Sequence, residues 1–374
     1  MIKVLELFGG IGACTQAFRN LGIIVEIADY VEIDKYAVAS YNAINNTHFE
    51  PQDITKWDKD IDVDVVMHGS PCQDISVAGK QAGADEGTGT RSSLMYETIR
   101  IVNKLKPKIV IWENVKNLLS KKHKHNFDNY IEEMNNLGYN SYYQVLNAKD
   151  YGVPQNRERV FTVSIRKDID KGFKYPTPEE LKVKLKDLLE EKVDEKYYLS
   201  DQMRNYILAV DENFNDNKFA GRVNDCKLNK SPSYAITVRG AGGNQRGSLS
   251  NFICGNGEEE IKVKDFKEML RVKNAYLRDF GSRGKLQGKE YCDTMTASMG
   301  TGGGNVPIVE KDMRIRKLTP KECWRLMSFS DEAFEKAALV NSDTQLYKQA
   351  GNSIVVKVLE KIIWKLYLEY VDFL

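Results

Sequence analysis

Six short apolar runs separated by stretches of helical spacing fill the first part of the chain, and this alternation narrows the fold more than any other feature. The runs are Val4 to Phe8, Ile23 to Ala28, Val63 to Met67, Ile109 to Trp112, Tyr142 to Leu146 and Val160 to Ile165. Between them the spacing predicts helices from the turn after Phe8 to Leu21, from Tyr36 to Ile44, from Ser93 to Leu105 and from Phe127 to Leu137. Near-continuous apolar strands need both sheet faces covered, and amphipathic helices between them supply the cover. The expected fold class is therefore α/β, a doubly wound and mainly parallel sheet.

The alternation stops near Arg166. A charged helix is predicted from Glu179 to Lys192, followed by Gly-rich stretches among short β-like pieces. Regular patterning returns at Thr319-Pro320-Lys321-Glu322, which resembles a capping box opening a helix through Met327. The final predicted helix, Ile354 to Tyr370, is apolar on one side and is expected to pack back on the first lobe. With 374 residues and 42.6 kDa there is room for two lobes. The expected division is 1–170 with 345–374 as one domain, and 171–344 as a second, smaller β-rich domain with its hinge.

Charge excludes little. Lys+Arg 54 against Asp+Glu 53 gives a net charge of +1, so a polyanionic partner would have to meet a local basic patch. Basic residues do gather at Arg222 to Arg246 and again at Arg271 to Lys289. The six cysteines (Cys14, Cys72, Cys226, Cys254, Cys292 and Cys323) contain no CxxC pair, and the four histidines complete no metal pattern with them. No metal and a reducing, cytoplasmic setting are expected. No apolar run reaches the length of a membrane span, and the KVLELF start carries no signal-like apolar region.

The motifs sit where strands end. Gly69-Ser70-Pro71-Cys72-Gln73-Asp74-Ile75-Ser76 follows the third run. Pro71 fixes its own φ and biases Ser70 toward extended geometry, so the turn presents the Cys72 thiol. The plainer alternative is a small core cysteine. Phe8-Gly9-Gly10-Ile11-Gly12 lies between a strand and a helix, where backbone can approach a ligand closely. Glu32 after the second run is placed to accept from ribose hydroxyls, and Asp53 from an adenine amino group; each alone reads better as a solvated loop carboxylate, and together with the glycine turn they favour an adenosyl-cofactor site. Glu113, in Trp112-Glu113-Asn114-Val115, opens into the crevice that receives Cys72, where a carboxyl with a raised pKa would donate to a ring nitrogen. A helix cap is the alternative. In Pro154-Gln155-Asn156-Arg157-Glu158-Arg159, strand geometry would put Arg157 and Arg159 on one face, converging on a base or phosphate. A surface salt-bridge ladder would look the same.

Taken together and in order, these motifs resemble the DNA (cytosine-5)-methyltransferases of bacterial type. FGGIGA resembles that family's cofactor loop, GSPCQDIS its nucleophile motif, ENV its glutamate motif and QNRER its arginine motif. Arg316-Lys317-Leu318-Thr319-Pro320-Lys321-Glu322 and Gly351-Asn352-Ser353-Ile354-Val355 resemble its late and closing motifs. The resemblance implies a Rossmann-like methyltransferase domain using S-adenosylmethionine and leaving S-adenosylhomocysteine. It implies that Cys72 attacks carbon-6 of a cytosine flipped from double-stranded DNA, with Glu113, Arg157 and Arg159 holding the ring. Phe8, Gly10, Gly12, Glu32, Asp53, Pro71, Asn352 and Ser353 would hold the cofactor. Ser76 and Lys80, in a Gly-rich lid, and Arg239, Gln245 and Arg246, in the recognition domain, would touch DNA. A monomer of bacterial or phage origin is expected, with any cognate restriction endonuclease acting separately. The departures are Ile33, where an aromatic often stacks on adenine, and Ser70 and Asp74 around an intact core. Alternatives are an RNA (tRNA) cytosine-5 methyltransferase on the same scaffold, a nicotinamide-dependent oxidoreductase, and a catalytically silent DNA binder.

Overall fold

The structure, a computed structural model, describes residues 1–71, 94–198, 292–293, 295, 308–311 and 314–374. Its centre is a six-stranded sheet of β1 (Ile2–Leu7), β2 (Val25–Val31), β3 (Val65–His68), β4 (Ile109–Val115), β5 (Tyr139–Asn147) and β7 (Glu158–Arg166), with the two-residue strand β6 (Gln155–Asn156) lying outside it. The order is β2-β1-β3-β4-β7-β5, in which β2, β1, β3 and β4 pair in parallel and β7 runs antiparallel to both neighbours.

Each central strand is apolar throughout because both of its faces are covered. Val4, Val65, Met67, Ile109 and Ile111 point into one hydrophobic cluster, whereas Leu5, Leu7, Val66, Val110 and Trp112 point into the other. That is the two-residue period of a strand, with apolar residues in both registers. The first cluster lies under helices α1 (Ala13–Asn20) and α8 (Val356–Tyr370), the second under α3 (Met95–Leu105) and α4 (Lys124–Asn136). The doubly wound α/β sheet expected from the sequence is therefore present, and the last helix packs on α1 as predicted. The chain passes from β1 to β2 on one side and then to β3 on the other, so a crevice opens at the carboxyl ends of β1 and β3.

Helix α2 (Lys35–Asn45) is capped by the Asp34 carboxylate, which accepts from Tyr36 N–H at 3.0 Å. Three further helices, α5 (Pro320–Arg325), α6 (Asp331–Ala338) and α7 (Asp343–Asn352), precede α8. α6 packs against α2, and Trp324, Ala333 and Leu346 join the first cluster, so these helices extend the core of the sheet. The capping box read at Thr319 is formed: Thr319 Oγ1 accepts from Glu322 N–H at 3.2 Å and Glu322 Oε2 accepts from Thr319 N–H at 2.8 Å.

The charged helix expected over Glu179 to Lys192 is not formed; only a single 3-10 turn, Leu185–Leu188, occurs there. The reason is where its backbone groups go. Glu179 N–H donates to Asp150 O, Glu190 N–H to Glu322 Oε1, and the Leu188 carbonyl accepts from Arg325. Tertiary partners satisfy the strap, and Leu185 anchors it in the core, so the weak charge pattern never pays for a helix.

Arg316 and Glu322 form a bidentate ion pair at 2.7 and 2.8 Å with both side chains fully buried. Removing one partner strands the other charge in an apolar setting. Arg316→Met should therefore lower unfolding free energy by about 3–5 kcal/mol. A urea melt showing a loss under about 1 kcal/mol would contradict this account of the pair.

Candidate active site

The glycine turn is held by two tyrosines. Past β1, Phe8 (φ 53°), Gly10 (φ 54°) and Gly12 (φ 81°) take left-handed backbone conformations. Gly12 N–H donates to Gly9 O at 2.9 Å, and the Tyr30 hydroxyl donates to Gly10 O at 2.5 Å. The Tyr30 ring stacks on Tyr41 at 3.8 Å between centroids. A Cβ at Gly9 would lie 2.5 Å from the Tyr30 ring, and one at Gly12 2.7 Å from the Tyr41 ring, so these positions exclude side chains by contact. At Gly10 a Cβ would meet nothing within 4 Å, which leaves its backbone facing open space.

Glu32 follows β2 and grips this turn, accepting from Gly10 N–H at 3.1 Å and from Asp34 N–H at 2.8 Å. Burial raises its carboxyl pKa, and the N–H donors oppose that rise. Asp53 lies between α2 and β3, next to Gln52, whose N–H donates to Glu32 O at 2.8 Å, and it caps the 3-10 turn Ile54–Lys56 by accepting from Thr55 N–H at 3.0 Å and Oγ1 at 2.8 Å. Those two bonds lower its pKa.

After β3 comes the turn that leads toward Cys72. Ser70 is buried there, its Oγ accepting from Trp112 Nε1 at 3.0 Å and Asn114 Nδ2 at 3.3 Å, its carbonyl also accepting from Asn114. The asparagine of the ENV motif thus fixes the backbone immediately before Pro71. His68, at the end of β3, is buried beside Trp112 and Tyr130, and burial lowers its pKa to about 3, so it is neutral. Cys72, Ser76 and Lys80, and Arg239, Gln245 and Arg246, lie outside the described residues.

Glu113 on β4 pairs with Arg159 on β7, Arg159 Nε standing 3.0 Å from Glu113 Oε1. The antiparallel register explains it: Glu113 is opposite Phe161, so Arg159 is its diagonal neighbour on the same face. Burial raises the Glu113 pKa, while the Arg159 and then the Arg157 guanidinium pull it back. A Cβ on Gly69 would sit 3.7 Å from Glu113 Oε2, which places the carboxylate beside the turn after β3.

Arg157 departs from the sequence reading. It precedes β7 and is not part of the strand, so the shared face expected for Arg157 and Arg159 does not form. Its buried guanidinium donates to Met295 O at 2.9 Å, Gly351 O at 3.2 Å and Ser353 O at 2.7 Å. Gln155 does similar work, donating to Leu326 O at 2.8 Å and accepting from Met295 N–H at 3.2 Å. Within QNRER, Arg157 thus ties the closing motif down, Gln155 holds the end of α5, and Arg159 reaches the glutamate.

Asn352 and Ser353 then complete a cleft with Phe8, Gly10, Gly69 and Glu113. Gly12, Glu32, Asp53 and Pro71 do not line it; Glu32 reaches it through Gly10, and Pro71 follows Gly69. The tyrosine clamp and the buried Glu6, which also lines the cleft, escaped the sequence reading because each looks like an ordinary strand or helix residue.

Gly9→Ala should cost about 1–3 kcal/mol by driving a methyl into Tyr30, measurable by denaturant melting; an unchanged midpoint would show that the turn yields. Arg159→Leu removes the nearer cation from Glu113, so the charged form loses support and the carboxyl pKa moves up. Carbon-13 NMR titration of the glutamate carboxyls reads this directly, and a fixed or falling pKa would refute the pairing.

Comparison with known proteins agrees with the geometry. The model of the C-5 cytosine-specific DNA methylase family matches residues 2–367. The orphan methyltransferase M.SPRI of Bacillus phage SPR is 31% identical over 439 aligned positions, covering 99% of this chain and 98% of its own. The type II methyltransferase M.Bsp6I of Bacillus sp. (strain RFL6) is 31% identical over 374 positions, covering 98% and 99%. Among solved structures, the S. pombe Dnmt2 methyltransferase aligns over 100% of both chains with a TM-score of 0.64 at 17% identity. That last likeness concerns the fold.

Proposed function

This chain belongs to the C-5 cytosine-specific DNA methylases, enzymes that methylate cytosine in DNA, and from that membership we propose its mechanism: methyl transfer from S-adenosylmethionine to carbon-5 of a flipped-out cytosine, through a covalent bond to Cys72. The observation that carries the reading is Glu113, a buried carboxyl paired with Arg159 and set beside the turn that runs through Ser70 and Pro71 to Cys72. DNA is the substrate because the family and its phage and bacterial relatives are DNA methylases or type II methyltransferases; a likeness at 17% identity to a solved structure does not choose between nucleic acids.

The cleft residues fit the methyl donor. The backbone at Gly10 has open space before it, and the Glu32 carboxylate stands at the same turn, suited to ribose hydroxyls. Asp53 keeps a carboxylate in the neighbouring loop for an adenine amino group, while Phe8, Asn352 and Ser353 wall the cleft and Gly12 and Pro71 shape the turns that border it. Bound there, S-adenosylmethionine supplies an electrophilic methyl group.

The protein's own groups do the rest. A cytosine carbon is out of reach within the stack, so the base is swung out. The Cys72 thiolate adds to carbon-6, breaking the 5,6 double bond and making carbon-5 nucleophilic. Glu113, whose pKa burial raises against the pull of the two arginines, donates to the ring nitrogen in its protonated form, and Arg159 holds the ring oxygen and the Glu113 carboxyl together. Arg157 serves by fixing the closing motif. Loss of the carbon-5 proton then expels the Cys72 sulfur. Ser76 and Lys80 close over the nucleotide, and Arg239, Gln245 and Arg246 of a recognition domain within 171–344 read the duplex. The enzyme acts as a monomer in the cytoplasm, and any restriction endonuclease works separately.

Duplex DNA carrying 5-fluorocytosine should trap the adduct, since fluorine cannot leave as the proton does. With the recognition sequence first mapped by bisulfite sequencing of plasmid from an expressing host, a cross-linked species should form on a denaturing gel. Cys72→Ser should lose it and lower turnover by at least about a thousandfold. No cross-link from active wild-type enzyme would defeat the covalent route.

A further inference from the structure

We propose that Glu6 is the charge-reading group of the cleft, its carboxylate favouring the cationic sulfonium of the methyl donor over the uncharged thioether that remains after transfer. This rests on the methyl-donor reading above. Glu6 lies on β1 with 1% of its surface exposed, yet its side chain lines the cleft beside Gly9 and Gly10. The two carboxylate oxygens are used differently. Oε1 accepts from Thr15 N–H at 2.6 Å and Thr15 Oγ1 at 2.5 Å, capping α1 where the Gly12 position has no side chain to do so. Oε2 sits on the turn side, 3.3 Å from where a Cβ on Gly9 would lie.

What singles Glu6 out is its missing counter-charge. Glu113, the other carboxylate of the cleft, has Arg159 at 3.0 Å. Among the described residues no Lys, Arg or His forms an ion pair with Glu6, and the causes acting on its ionisation are burial and the two Thr15 hydrogen bonds. The titratable groups that feel its charge from the packed elements are Cys14 on α1, Tyr30 on β2 and Tyr41 on α2, all pushed upward and so neutral. Burial sets the Glu6 pKa at about 7.

A desolvated carboxylate facing a cleft, with no resident cation, attracts a cation on the ligand. S-adenosylmethionine and S-adenosylhomocysteine share every other charged group, so the difference between them isolates the sulfonium. Such a cation stabilises ionised Glu6 and lowers its pKa on binding. Near neutral pH the donor therefore expels the Glu6 proton, and the thioether does not. Above the Glu6 pKa the carboxylate is already charged and the preference is full; below it the preference fades.

Isothermal titration of the full chain with each ligand, in buffers of different ionisation enthalpy, reads both the affinity ratio and the proton count. Wild-type protein should release a proton near pH 7 on binding S-adenosylmethionine and none on binding S-adenosylhomocysteine. Glu6→Gln retains an oxygen for Thr15. It should abolish that release and shift the affinity ratio toward S-adenosylhomocysteine by about tenfold at about pH 8, with wild type and variant converging at about pH 6. Equal proton release for both ligands by the wild type would overturn the proposal, whether or not the variant folds. An unchanged ratio in a variant that still binds S-adenosylhomocysteine would do the same. Failure of the wild type to bind either ligand would remove the donor reading and this inference with it.

Discussion

A single buried guanidinium brings the two ends of this chain into one site. Arg157 donates to carbonyls at Met295, Gly351 and Ser353, all far away in sequence. The link between α7 and α8 is only 353–355, and among the described residues it pairs with no strand. Buried carbonyls without donors are costly, and a charged planar donor with several N–H groups satisfies more than one of them at once. Asn352 and Ser353 thereby face Phe8 and Gly10 across the cleft. The arginine motif is as much a fastener as a reagent.

The two carboxylates of the cleft show how environment separates like groups. Both are buried and both are raised by desolvation. Glu113 meets a guanidinium because the antiparallel β4–β7 register sets Arg159 diagonally across from it. Glu6 lies on the parallel part of the sheet, where neighbouring strands carry apolar residues and only the start of α1 offers donors. Strand direction alone thus gives one carboxyl a cation and the other a helix terminus, and their ionisations are controlled by different partners.

The sheet was legible because its strands are apolar in both registers, a pattern that only a doubly covered sheet demands. The placement of Glu113 beside the turn after Gly69 was legible for the same reason, since both fall where the runs stop. What failed was whatever depended on distant partners. The strap from Glu179 to Lys192 has helix-like charge spacing, but its N–H and C=O groups bond to Asp150, Glu322 and Arg325, which local periodicity cannot reveal. Arg157 and Arg159 have the spacing of one strand face, yet the strand begins at Glu158, so Arg157 meets backbone carbonyls while Arg159 meets Glu113. Tyr30 and Tyr41 gave no signal, since an aromatic that clamps a glycine turn has the same sequence context as one that fills a core.

The width of one glycine joins the closing segment to the Glu113 carboxyl. Gly69 lies between Ile354 and Glu113: a Cβ there would be 3.4 Å from Ile354 Cδ1 and 3.7 Å from Glu113 Oε2. Ile354 belongs to the segment that Arg157 fastens, and Glu113 to the strand that Arg159 faces. The two arginines of one short motif therefore set the positions of both walls around the turn that leads to Cys72. A change in either wall shifts the space around that turn, so one short motif, QNRER, governs both sides of it.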